Sequence, residues 1–167
     1  MFLGELNNAQ FRQVRQGLAK NSFSRILAAY DGSPDSLKAV RRASALSSEF
    51  GASLVVVHVY SLPSVVYGGP GPMPLVDFKG LEDSAEAKAK DTLAKGVEVC
   101  KQEGVQVKAQ LLESASVVQA ILEFAQKEGV DLIVMGTRGM TGFKKLLLGS
   151  VSSGVVTHAH CSVLVVR

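Results

Sequence analysis

Gly136-Thr137-Arg138-Gly139 is followed nine residues later by Gly149-Ser150, giving the spacing G-x2-G-x9-G-S. Glycines let a backbone come close to a ligand, and the first turn of a helix leaves N–H groups without carbonyl partners. With the positive end of the helix dipole added, such a loop and helix start can hold a phosphate. The motif is not a Walker loop, since no G-x-x-x-x-G-K-[ST] occurs, and it does not satisfy G-x-G-x-x-G. A structural reading stands beside the functional one. Gly136 could simply end a strand, Gly139 make a turn, and Gly149 let a helix pack close.

Other groups able to do chemistry are few. Asp31, in Asp31-Gly32-Ser33-Pro34, can contact a ligand, brace its own turn, or do both. Residues 132–167 contain no Asp or Glu but carry Arg138, Lys144, Lys145 and Arg167. That balance suits an anionic ligand, and equally a Val-rich buried end of a domain. Arg138 is either a ligand contact or a solvated loop charge, while Lys144 and Lys145 are expected to face solvent. His58, inside an apolar run, reads as a satisfied core histidine rather than a base. His158 and His160 form an H-x-H pair, by itself too little for a metal site.

The elements that must position these groups alternate along the chain. Ile26 to Tyr30 reads as a strand running into a helix capped by Ser33, with Pro34 first, and ending before Gly51. Leu54 to Val59 is apolar at consecutive positions, the mark of a strand covered on both faces. Residues 61–80 are rich in glycine and proline and predict a long flexible connection. A helix is expected from about Leu81 to Gly104, then a strand from Val105 to Leu112 and a helix capped by Ser116 and ended by Gly129. Asp131 to Met135 forms the fourth strand, residues 150–160 the last helix, and Ser162 to Val166 the fifth strand. This alternation predicts a doubly wound parallel sheet with helices on both faces. Ligands bind beyond the carboxyl ends of such strands, which brings Asp31, the end of the second strand and the Gly136 loop to one edge.

Residues 1–24 fall outside this plan. Phe11, Val14 and Leu18 line one helical face there, which predicts an appended helix before a domain spanning 25–167. The chain's 167 residues, 47% apolar and 20% charged, fit one globular core. A net charge of +3 is too small to argue for a nucleic-acid partner. No apolar run is long enough to cross a bilayer, and no continuous signal-peptide core is present. Cys100 and Cys161, far apart and without C-x-x-C spacing, fit a reducing compartment, so a cytoplasmic protein is expected.

Ala28 to Ser33, Leu54 to Val59, Asp131 through Val151, and Ser162 to Val166 together resemble the universal stress protein family over about residues 24–167. The glycine spacing resembles the signature of that family's ATP-binding branch. The resemblance implies an α/β, Rossmann-like fold whose five-stranded sheet has the order 3-2-1-4-5. It implies ATP as ligand, with any Mg²⁺ carried by the phosphates. Asp31, with Ala29 beside it, would meet the adenosine, and the backbone of Val59 would read the adenine edge. Met135, Gly136, Thr137, Arg138, Gly139, Met140, Thr141 and Gly142 would wrap the ribose and phosphates. Gly149, Ser150, Val151 and Ser152 would receive the phosphates.

Hydrolysis needs a positioned water and a base or transition-state charge, and the loop supplies neither in evident form. The expectation is an ATP-binding stress-response or signalling protein with at most slow hydrolysis and no assigned catalytic residue. An enzyme of related fold is a second reading, although neither H-x-G-H nor S-G-G-x-D-S occurs. A nucleotide-independent dimeric chaperone or adaptor is a third. In the implied strand order the apolar strand 162–166 lies at an edge, which predicts a homodimer through it. A downstream protein partner is expected but unidentified.

Overall fold

The computed structural model describes residues 23–62, 77–140 and 148–167. The expected N-terminal helix with Phe11, Val14 and Leu18, most of the 61–80 connection, and Thr141, Gly142, Lys144 and Lys145 lie outside the described residues. In chain order the described elements are β1 (Arg25–Ala29), α1 (Pro34–Phe50), β2 (Ser53–Tyr60), α2 (Phe78–Gln102) and β3 (Val107–Glu113). There follow α3 (Val117–Lys127), β4 (Leu132–Gly136), α4 (Ser150–His158) and β5 (Ser162–Val166).

The strands form one parallel sheet in the order β3-β2-β1-β4-β5, as the alternation and the resemblance implied. Consecutive apolar residues serve opposite faces. Ile26, Ala28, Leu54, Val56, Leu132 and Val134 pack with Ala39, Val40 and Ala43 of α1 and Leu93 and Cys100 of α2. Leu27, Val57, Ile133 and Met135 point the other way, against Ile121 and Ala125 of α3 and Val155 of α4. This two-sided burial is why the strands read as unbroken apolar runs. Strand order reverses at β1, which pairs with β2 on one side and β4 on the other. The crevice beyond the ends of β1 and β4 is therefore where such a sheet opens to a ligand.

Local chemistry sets the element ends. The Ser33 hydroxyl accepts the Ser36 N–H at 3.2 Å and Pro34 opens α1, both as expected. The second helix starts at Phe78 rather than Leu81, because Asp77 caps it by accepting the Gly80 N–H at 2.9 Å. It stops at Gln102, short of Gly104, and β3 correspondingly begins at Val107 rather than Val105. β3 runs on to Glu113 because it stays in register with β2 up to Tyr60. The last helix ends at His158, not at residue 160, as the chain turns extended at Ala159 to enter β5.

The opposite end of the sheet is tied shut by one side chain. Asp131, just before β4, accepts hydrogen bonds from the Ser24 N–H at 2.8 Å, the Ser24 hydroxyl at 2.6 Å and the Arg25 N–H at 3.1 Å. Burial pushes the Asp131 carboxyl up, but these donors outweigh it and hold the group below its usual value. No helix among the described residues is long and apolar enough to cross a membrane.

Candidate functional site

At the carboxyl edge of the sheet the chain leaves a cleft of about 380 Å³. One wall is apolar, made by Val57 and Val59 of β2, Val117 and Ile121 of α3, and Met135 of β4. The polar lining residues of the cleft include Asp31, His58, Arg138, Ser150 and Ser152. An apolar slot with a few converging polar groups is the usual form of a small-molecule site.

The sequence-derived residues meet here. Ala29, Asp31, Val59, Met135, Gly136, Arg138, Gly139, Met140, Gly149, Ser150, Val151 and Ser152 all line the cleft. Thr137 is not among the lining residues, and Thr141 and Gly142 lie outside the described residues. Tyr30, Ser36, Val57, Val117, Ile121 and His58 also line it and were not anticipated as site residues. Most of these were legible only as core positions, because a sequence pattern marks buried residues without saying which of them border a cavity.

His58 is satisfied, as expected, but it is not a core residue. Half-buried on the cleft wall, its Nδ1 lies 2.7 Å from the carbonyl oxygen of Tyr30. A carbonyl can only accept, so Nδ1 carries a proton in this contact. The signal was its place directly before Val59 at the end of β2.

Asp31 braces its own turn, one of the roles open to it, and also meets the glycine loop. Its Oδ1 accepts the Ser33 N–H at 3.0 Å and braces the turn into α1. Its Oδ2 accepts the Met140 N–H at 3.2 Å and so reaches the glycine loop. Ser33 adds a second tie by donating its hydroxyl to the Arg138 carbonyl at 3.2 Å. The loop thus rests on the start of α1, and Arg138 is half-buried against the cleft rather than a fully solvated charge.

Two groups of the motif are turned inward. The Ser152 hydroxyl donates to the Gly136 carbonyl at 2.8 Å, with a longer contact to the Thr137 carbonyl at 3.4 Å. The Gly149 N–H donates to the Thr137 carbonyl at 2.7 Å. These bonds fasten the start of α4 to the end of β4. Gly149 is the cap residue of α4 and has no side chain to satisfy the first-turn N–H groups. The backbone N–H groups of Ser150, Val151 and Ser152 therefore stand at the helix start without carbonyl partners in the helix, beside the Ser150 hydroxyl. Such an arrangement favours an anion. Among the described residues no cluster of His, Cys, Asp and Glu could hold a metal ion.

Residues 22–167 match the model of the universal stress protein family. The chain is similar to a universal stress protein of Methanocaldococcus jannaschii, 36% identical over 155 residues that cover 92% of this chain and 86% of the relative. Among solved structures, a universal stress protein from Lactobacillus plantarum superposes with a TM-score of 0.73 at 25% identity, covering 87% of this chain and 99% of that one. A universal stress protein from Archaeoglobus fulgidus in complex with dAMP gives a TM-score of 0.63 at 25% identity, with 86% of this chain and 98% of that one covered.

Proposed function

The chain belongs to the universal stress protein family, and from that premise we propose that it binds an adenine nucleotide, ATP foremost, in the cleft beyond β1 and β4. One observation carries the reading. The apolar slot of Val57, Val59, Ile121 and Met135 opens onto the uncapped start of α4, so a flat base and an anionic tail have adjoining places in one cleft. The dAMP complex of the Archaeoglobus fulgidus relative supports the same choice of ligand. Asp31 and Ala29 would lie at the adenosine and Val59 at the base edge. Gly136, Arg138, Gly139 and Met140 would lie along the ribose and phosphates, and Gly149, Ser150, Val151 and Ser152 at the phosphate end. Mg²⁺ would arrive on the phosphates, held mainly by their oxygens.

The protein holds the nucleotide as a signal in a stress response rather than turning it over. Asp31 is the one carboxylate lining the cleft among the described residues, and both its oxygens are engaged in bracing the turn and the glycine loop. Phosphate release from ATP is therefore expected to stay well below about one per second, the low end of ordinary enzyme turnover. Cys100 and Cys161 are both free thiols, in keeping with a cytoplasmic home.

The working unit is a homodimer paired through β5. This edge strand, Ser162–Val166, carries no charge, whereas the other edge strand, β3, presents an exposed Lys108. A charged residue on an edge discourages pairing, and an apolar edge invites it. Extraction of the protein purified without denaturation, followed by chromatography of the released nucleotide, tests the ligand. An adenine nucleotide is expected. A guanine nucleotide, or none retained even after incubation with ATP, would count against the reading, as a monomeric mass at micromolar concentration would count against the dimer.

A further inference from the structure

Thr137 sits at the centre of the glycine motif yet turns its side chain away from the cleft. Its hydroxyl donates to Oδ2 of Asp35, in the first turn of α1, at 2.9 Å. Its N–H donates to the carbonyl of Val166 in β5 at 2.9 Å, and its own carbonyl accepts the Gly149 N–H at 2.7 Å. One residue therefore joins α1, β5 and the start of α4. Gly136 makes the contact with α1 possible. A Cβ there would come within 2.7 Å of the backbone of Asp35 and Ser36, so only glycine lets β4 end flush against α1.

We propose that Asp35 is a positioning residue for the phosphate end of the cleft, acting through Thr137 to fix the carbonyl that holds the start of α4. This rests on the nucleotide-binding reading for its functional consequence, but not for its structural one. Asp35 does not line the cleft. It reaches the site through the Thr137 hydroxyl and, by charge, through Arg138, while its other oxygen lies 3.4 Å from Lys38 Nζ. A carboxylate acceptor makes the Thr137 bond charge-assisted and directional. The Thr137 hydroxyl is also the main reason the Asp35 carboxyl sits below its usual range. With the hydroxyl pinned on one side and the N–H on the other, the peptide after Thr137 has little freedom. Its carbonyl stays aimed at the Gly149 N–H, and the N–H groups of Ser150 and Val151 keep their direction.

Charge alone predicts the opposite of positioning. Asp35 is an anion near an anion site, so its removal should tighten phosphate binding if it acts by field. If it acts by positioning, removal weakens binding. The experiment is a double-mutant cycle of Asp35→Ala and Thr137→Val, with Asp35→Asn as the conservative variant that keeps an acceptor oxygen. ATP affinity is read by calorimetry, and amide hydrogen exchange at Gly149 and Ser150 is read by NMR. Each single variant should weaken ATP binding about three- to tenfold, the scale of one lost hydrogen bond, and the double variant should be no worse than either. Asp35→Asn should recover most of the loss, and exchange at Gly149 should speed up in both single variants. Unchanged or tighter binding in Asp35→Ala, or additive effects in the double variant, would overturn the proposal. If the unaltered chain bound no ATP, the nucleotide reading would fail, yet Gly149 exchange would still decide. Faster exchange in both single variants supports the role of Asp35, and unchanged exchange refutes it.

Discussion

Ser150 and Ser152 stand two positions apart at the start of α4 and do different things. Ser152 is buried and donates its hydroxyl to the Gly136 carbonyl, so Ser152→Ala leaves a buried acceptor unpaired. That variant is expected to lower stability by about 1–3 kcal/mol, read as a fall in melting temperature without ligand. Ser150→Ala should leave the melting temperature nearly unchanged and weaken ATP binding severalfold in a titration. Gly136→Ala belongs with Ser152. The Cβ would press on backbone atoms of α1 that cannot swing aside, and a loss of about 1–3 kcal/mol is expected from overpacking. At this scale the motif was only half legible. The spacing G-x2-G-x9-G-S identified a loop and a helix start that share a cleft, but not that the Thr137 and Ser152 hydroxyls are engaged by Asp35 and the Gly136 carbonyl. Chain spacing cannot tell which side chains turn inward, since that depends on α1, which packs against the end of β4 from a hundred residues away in sequence.

The helices and strands were more legible than the site, because their signals are local. Ser33-Pro34 marked the start of α1, and the apolar run of β2 marked a strand with two covered faces. The start of α2 was misjudged because Lys79 and Gly80 break the helical pattern, while the Asp77 cap that fixes it stands just before them. Ser33 is expected to matter twice over. Ser33→Ala removes the cap of α1 and the tie to the Arg138 carbonyl, at a cost of about 1–2 kcal/mol and with a looser glycine loop. The Asp131 clasp predicts a pH dependence. Its carboxyl is held below the usual value of 3.8, so its contribution to stability is complete above that pH and is lost as pH falls through the lower folded value. The melting-temperature gap between the unaltered chain and Asp131→Asn should therefore be widest near neutral pH and close in acid. A gap that widened in acid would contradict the assignment.

For the molecule as a whole, the two sides of the sheet have separate duties. The α1 side braces the glycine loop through Ser33, Asp35 and Asp31, while the α3 and α4 side supplies the apolar slot and the helix start proposed to take the phosphates. A nucleotide bound between them touches both layers and should stabilise the whole domain. At a ligand concentration about a hundred times Kd, linkage predicts roughly 2.7 kcal/mol of added stability. Thr137 joins β5, the edge proposed to pair two copies, to the cleft through the Val166 carbonyl. All of this turns on whether the cleft takes ATP. Calorimetric titration of the purified chain with ATP measures it most directly. A saturable heat at one site per chain, accompanied by a rise in melting temperature, is the predicted result. No heat and no thermal shift at millimolar ATP would contradict the account and leave the glycine motif a purely structural joint.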